Sequence, residues 1–415
     1  MAASPGPIRA RERVFEVDVL RGFALLGILL VNMDGFAWPI TENRLGWRDS
    51  VNVADQMAGW LIRFLAQGKF FTLFSLLFGL GFAVQMSRAE SRGASFLPTY
   101  LRRVAVLFAF GLLHINLLWA GDILTDYAIL GCLLLLFRKC RPVVLVRWAA
   151  VALALPILLI SFAAVLAVPL FGAPDESPVA PSVSAEGGVS RSHRAVEIYQ
   201  RGSFAEMRAQ RLREVRALQV GGIVFEPIVF AMFLLGLALG RARVPERIAE
   251  LMPRIRRLAT RAAAIGVAAN LIFVMFEDRA WAEASSSAEW ISEIGFIIGG
   301  PTMMIAYAAG ITVLLQAPGW ARRLAPLAAT GRMPLTNYLA QSVICTTIFN
   351  GYGLGLFARI GVAAGIVLAI AIFAAQVAFS SWWFTRFQFG PLEWIWRALT
   401  YGPRVGSTLA RRQEA

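Results

Sequence analysis

Histidine is almost missing from this chain: its 415 residues include two, His114 and His193. Charge is scarce as well. Asp, Glu, Lys and Arg make up 16% of the residues, against about 25% in a typical soluble domain. With 58% hydrophobic residues and a mean hydropathy of +0.62, this excludes an ordinary soluble enzyme. Cysteine is sparse: Cys132, Cys140 and Cys345 stand alone with no CxxC pair, which excludes a disulfide framework and a zinc site. No metal site is expected. No Walker loop, dinucleotide fingerprint or GxSxG elbow occurs.

What is present is apolar sequence punctuated by arginine. The formal charge is +14, but the arginines flank apolar runs, as membrane anchors do. The expected partner is therefore the lipid bilayer, and no nucleic acid. The pattern predicts an all-α fold, a polytopic membrane helix bundle of about ten transmembrane helices. Residues 1–17 form a basic tail and 18–171 a first membrane group of five spans. Residues 172–217 form an extracytoplasmic loop, flexible at first and then an amphipathic helix. Residues 218–385 form a second group of five spans, and 386–415 an interfacial aromatic segment with a basic tail. The basic loops at Arg88–Arg103, Arg138–Arg147, Arg241–Arg261 and Arg322–Arg332 alternate with less basic ones, so both termini are expected to be cytoplasmic.

The most informative stretch is GLLHINLLWAGDILTDYAILG, residues 111–131. It is apolar enough to be embedded, yet carries His114, Asp122 and Asp126. Ionisable groups in hydrocarbon usually face a bundle interior or a wet cavity and mark function. Histidine exchanges a proton near neutral pH, and a carboxylate neighbour fixes its tautomer. His114 is the candidate catalytic base, with Asp122 or Asp126 to orient it. A capping role suits Asp122 better than catalysis does, since it precedes a helix start. In the first span, Asp18, Arg21 and Asn32 share a face, and Arg21 and Asn32 lie about 16 Å apart along it. Asp18 and Arg21 also suit an i,i+3 ion pair. Glu226 beside Pro227 adds an acid where a helix bond is lost. Asn337 and Gln341 are four apart and face the same way, as ligand contacts or as interhelical glue. Arg103 stands eleven residues before His114 on its face. These residues make up the candidate substrate- and donor-binding set.

The segments DVLRGFALLGILLVNM, KFFTLFSLLFGLGF, GLLHINLLWAGDILTDYAILG, GRMPLTNYLAQS and FGPLEWIWRALTYG closely resemble the YeiB-like bacterial membrane proteins, a domain-of-unknown-function family (DUF418). That family is remotely similar to the transmembrane acyltransferases, through a first helix of the form Asp-x-x-Arg-Gly followed by an apolar run and Asn. Here those positions are Asp18, Arg21, Gly22 and Asn32. The resemblance implies a multi-pass acyltransferase of the bacterial cytoplasmic (inner) membrane. It would move an acyl group from a cytoplasmic acyl-CoA to an extracytoplasmic glycan, lipid or small hydroxylated acceptor. It implies no tightly bound cofactor, acyl-CoA being the donor, and is compatible with a homodimer. The heparan-type acyltransferases carry their working histidine in the loop after the first helix. The corresponding loop here, residues 39–56, has none, so in an acyltransferase either His114 takes that role from a different helix or the chemistry differs. The alternative is a proton-coupled transporter or exporter of a small molecule, which would also use buried acids and broken helices.

Overall fold

A computed structural model describes residues 14–40, 52–171, 185–283 and 286–402. Most of the N-terminal tail, most of the loop after the first span, the first part of the long loop and the C-terminal basic tail lie outside the described residues. Among those described there are fifteen α-helices and no strand. In chain order they are α1 (Phe15–Ala37), α2 (Val53–Leu65), α3 (Phe70–Ser91), α4 (Phe96–Leu117) and α5 (Leu124–Leu134). There follow α6 (Pro142–Phe171), α7 (Ala185–Arg201), α8 (Phe204–Arg241), α9 (Ile248–Glu283) and α10 (Ser286–Leu315). The last five are α11 (Trp320–Arg323), α12 (Ala325–Arg332), α13 (Pro334–Phe349), α14 (Val362–Trp383) and α15 (Pro391–Tyr401).

Among the described residues, eight helices are long and apolar enough to cross a membrane. They answer eight of the ten spans expected from sequence. The other two positions are held by α5, which continues through a 3-10 turn to Phe137, and by α13. Both are shorter than the roughly 20 residues a lipid-facing span needs. Bundle packing makes up the deficit for α13, where nine side chains from Leu335 to Phe349 are buried.

The helix at the centre is α1. It packs against α3, α10, α12, α13 and α14. Around it, α9 and α10 form a hairpin, α8 lies between α3 and α6, and α4 packs against α5 and α15. A large apolar core runs through the bundle, with Leu25, Leu29, Leu73, Phe233 and Phe349 all fully buried. The FGLGF segment of α3 shows two different uses of glycine. A Cβ at Gly79 would stand 2.0 Å from the Phe233 carbonyl oxygen, so only glycine lets α3 and α8 touch there. Gly81 meets nothing nearer than an Arg21 nitrogen at 3.9 Å and lines a cavity instead.

The amphipathic helix expected over residues 191–216 is present as parts of α7 and α8. Its inward face carries Ala195, Tyr199, Met207, Arg211 and Glu214, all buried. A capping box between Ser203 and Glu206 starts α8, satisfying donors that have no partner at a helix start. The boundary drawn at residue 218 falls inside this helix: α8 runs unbroken to Arg241, with Pro227 within it. The helix continues through Gly221 and Gly222, and Pro227 removes one N–H without ending it. Pro156 and Pro301 likewise lie inside the continuous helices α6 and α10.

Candidate functional site

His114 occupies the last turn of α4, where its carbonyl accepts from the N–H groups of Leu118 and Trp119. The turn that follows is pinned to the central helix, because the Trp119 indole donates to the Gly35 carbonyl of α1 at 2.9 Å. Asp122 closes the turn. Its Oδ2 accepts from the Thr125 N–H and hydroxyl, both at 2.8 Å, so the capping role is real. Its Oδ1 remains for the histidine: His114 Nδ1 lies 2.8 Å away. The two helices come close enough for this because residue 111 is glycine. A Cβ there would stand 2.7 Å from Thr125 and 2.8 Å from Asp122 Oδ2.

The other ring nitrogen, Nε2, lies 2.8 Å from the hydroxyl of Ser342 on α13. A serine, a histidine and an aspartate thus form one continuous relay. Its members are deeply enclosed: His114 and Ser342 are each 1% exposed, and the Asp122 side chain is 1% exposed. An ionised carboxylate can only accept, so Nδ1 carries a proton and donates it to Asp122; in the neutral ring Nε2 then accepts from the Ser342 hydroxyl. Above the relay, the buried Arg211 donates to the Asn116, Leu117 and Leu118 carbonyls at 2.8 to 3.1 Å. That places a cation on the carbonyl end of α4, where the helix dipole favours it.

Below the relay lies a cavity of about 250 Å³. Its polar end collects Arg21, Arg88, Arg103, Arg332 and Arg397, with Asp18 and Glu393 the acids among them. Aromatic faces hold three of these arginines: Arg103 lies over Trp396, Arg332 over Phe384 and Arg397 over Phe389, at 3.7 to 4.2 Å. Glu393 accepts from the Leu335 and Thr336 N–H groups and the Thr336 hydroxyl at 2.5 to 3.0 Å, capping α13. Burial pushes its carboxyl above the usual range, while the Thr336 and Leu335 hydrogen bonds pull the other way. Most of the rest of the wall is apolar, including Leu25, Ile28, Leu77, Leu107 and Leu124. The far end is closed by Ile123, Tyr127 and Tyr338. The Tyr338 ring packs on His114 with centroids 5.3 Å apart, and its hydroxyl donates to the Gly121 carbonyl at 3.2 Å. Tyr338 therefore borders both the cavity and the relay.

The residues singled out from sequence fall into several places. His114 and Asp122 meet. Asp126 lies one turn deeper on α5, near the charges of Asp122 and Glu226, and both His114 nitrogens are already engaged elsewhere. Asp18 and Arg21 pair at 3.1 Å and line the cavity, as does Arg103. Asn32 is half-buried on α1, away from the cavity lining, and Glu226 is exposed on α8. Asn337 and Gln341 belong to an amide ladder. Gln341 donates to the Gln376 side chain at 2.9 Å, and Gln376 donates to the Asn337 carbonyl at 2.9 Å. Asn337 in turn donates to the Thr330 carbonyl and Ser380. These bonds tie α13 to α12 and α14. Sequence reasoning missed Ser342, Tyr338 and the meeting of five arginines. The signal for Ser342 was its place next to Gln341 in a polar stretch of an apolar helix.

The family model for a protein of unknown function (DUF418) matches residues 239–403. Similarity to curated proteins extends over nearly the whole chain. YxaH of Bacillus subtilis is 35% identical over 413 residues, covering 95% of this chain and 96% of that protein. A 39.9 kDa protein of the amylase 3′ region of Bacillus acidopullulyticus is 30% identical, covering 98% and 99%. YeiB of Escherichia coli is 28% identical, covering 96% and 99%. With its helical architecture matching the resemblance drawn from its motifs, the chain belongs to the YeiB-like DUF418 family.

Proposed function

We propose that this protein is a membrane-bound acyltransferase of the bacterial cytoplasmic membrane that takes its acyl group from a cytoplasmic acyl-CoA. The observation that carries the reading is a carboxylate-oriented histidine behind the closed end of an arginine-rimmed apolar cavity. The five arginines suit the phosphates of a coenzyme A thioester, since guanidinium–phosphate pairs are strong and geometrically selective. A volume of about 250 Å³ lies just under the range of about 300–1,000 Å³ usual for small-molecule sites. It suits a slender flexible arm better than a bulky sugar. In this reading both termini share the donor's side, and a hydroxylated glycan, lipid or small molecule approaches from the opposite side.

The chain's own residues then have distinct tasks. Arg21, Arg88, Arg103, Arg332 and Arg397 hold the anionic end of the donor. The apolar wall excludes water from the thioester. His114 moves the proton that acyl transfer requires, and Asp122 holds the imidazole in the tautomer that can accept it. The test is transfer from labelled acetyl-CoA in proteoliposomes containing the whole chain. Wild-type protein releases free CoA thiol and passes label to an acceptor pool, and His114→Ala lowers that rate by about 10²- to 10⁴-fold. A His114→Ala protein with wild-type turnover removes the histidine from the chemistry.

A further inference from the structure

We infer that Ser342 is the nucleophile of a two-step transfer, carrying the acyl group as an ester between donor and acceptor. This rests on the acyl-transfer reading above and adds a covalent step to it. The first ground is occupancy. With Nδ1–H donated to Asp122, the one basic position on His114 is Nε2, and Ser342 Oγ is already there at 2.8 Å. An acceptor hydroxyl could reach Nε2 only by displacing Ser342. The proton this base is placed to remove is therefore the serine's own.

The second ground is the direction of the hydroxyl. Serine and threonine in apolar helices commonly turn back to a carbonyl one turn earlier. Ser75, Ser161, Thr312 and Thr347 do so here. The Ser342 hydroxyl instead crosses to α4, to a residue 228 positions away in the chain. The third ground is position. Ser342 lies eight residues from the start of α13 and seven from its end, about 12 Å and about 10 Å along the axis. It is one turn beyond Tyr338, which closes the cavity. An acyl group parked there stands midway between a donor entering past the arginines and an acceptor arriving at the other end of the bundle.

The chemistry balances without an oxidant or reductant. In the first step the Ser342 proton passes to His114 Nε2, Oγ bonds the acyl carbon, and the carbon–sulfur bond of the thioester breaks. The leaving thiolate takes the proton from Nε2 and departs as a thiol. In the second step the esterified Ser342 no longer donates to Nε2, so the acceptor hydroxyl takes that position and gives its proton to Nε2, its oxygen bonds the acyl carbon, and the carbon–Oγ ester bond breaks. Ser342 recovers its proton from Nε2.

A fluorophosphonate probe tests the nucleophile without assuming any donor. The full-length protein in lipid nanodiscs is treated with the probe and its adducts are mapped by peptide mass spectrometry. The expected result is one adduct on Ser342, forming at least about 100-fold more slowly in His114→Ala. Parallel acid quenching after labelled acetyl-CoA should leave hydroxylamine-labile label on wild type and on Ser342→Cys, and none on Ser342→Ala. Absence of a His114-dependent adduct on Ser342 overturns the assignment, as does acyl transfer at the wild-type rate in Ser342→Ala; neither result touches the acyl-transfer reading itself. A His114-dependent adduct without any thioester turnover upholds the nucleophile and overturns the acyl-CoA donor.

Discussion

Two faces of α13 hold two buried polar clusters built to different ends. On one face, Asn337 and Gln341 interlock with Gln376 of α14 through amide groups. On the other, Ser342 joins His114 and Asp122. Both clusters satisfy polar atoms that apolar surroundings would penalise. The difference is protonic. Amides at ordinary pH neither give up nor gain a proton, so the ladder can only hold helices together. The relay places a titratable ring between a hydroxyl and a carboxylate, so it can move a proton. Burial alone does not separate glue from chemistry; the residue types that meet do.

Removing the carboxylate's directing effect should separate the two faces most sharply. Asp122→Asn keeps the shape and the Thr125 contacts but can present an N–H to His114, favouring the wrong tautomer. A loss of about 10⁴-fold in turnover is expected from the analogous change in a serine–histidine–aspartate triad. Thermal unfolding in detergent should move little. Turnover retained within tenfold would mean that the relay is held for structure, as the ladder is. Gly111→Ala acts on the same relay from outside it. The new Cβ would overlap Thr125 and the Asp122 Oδ2 that Thr125 holds, so α4 and α5 must move apart. A displacement of about 1 Å at a reacting group costs about 100-fold in rate. Steady-state kinetics on Gly111→Ala should show that fall mainly in kcat, and a variant of unchanged kcat would show that the relay tolerates the shift.

The arginine end should respond in a different parameter. Arg332→Ala and Arg397→Ala each remove one cation from the cavity mouth. A hydrogen bond to a charged group contributes about 1.5–3 kcal/mol, so each KM for the thioester should rise about 10- to 100-fold. With kcat nearly constant, the loss is of binding felt equally in ground and transition states. A fall in kcat at unchanged KM would place these arginines with the relay instead of with donor binding.

How much of this was legible from sequence follows from the range of each interaction. The spans announce themselves because bilayer-length apolar runs need no partner to be recognised. His114 and Asp122 lie eight positions apart in one stretch, so their meeting could be anticipated. Asn337 and Gln341 could be seen to share a face, and glue was one of their two expected uses. The ladder's third member, Gln376, is a single amide in α14, with no second amide at helical spacing to mark it. Ser342 escaped because its partner is 228 positions away, and a lone serine in an apolar helix normally serves its own backbone. The five cavity arginines each look like a membrane anchor in one dimension. Only the packing of α1, α3, α4, α12 and α15 brings them to one opening.

The smallest effect belongs to the ladder, and it decides whether the contrast holds. Gln376→Leu removes the partner of Gln341 and the donor to the Asn337 carbonyl while keeping a side chain of similar bulk. Interhelical hydrogen bonds within membrane proteins average about 0.6 kcal/mol and reach about 1.7 kcal/mol, because the unpaired groups find other partners. Two such bonds predict a modest drop in unfolding midpoint, with turnover changed by less than about threefold. The asymmetry with Asp122→Asn is the point: one substitution lowers stability and spares the rate, and the other does the reverse. If Gln376→Leu instead lowered turnover as far as Asp122→Asn, the amides would be positioning Ser342 through α13. The two faces would then work as one device, with the ladder setting where the hydroxyl stands.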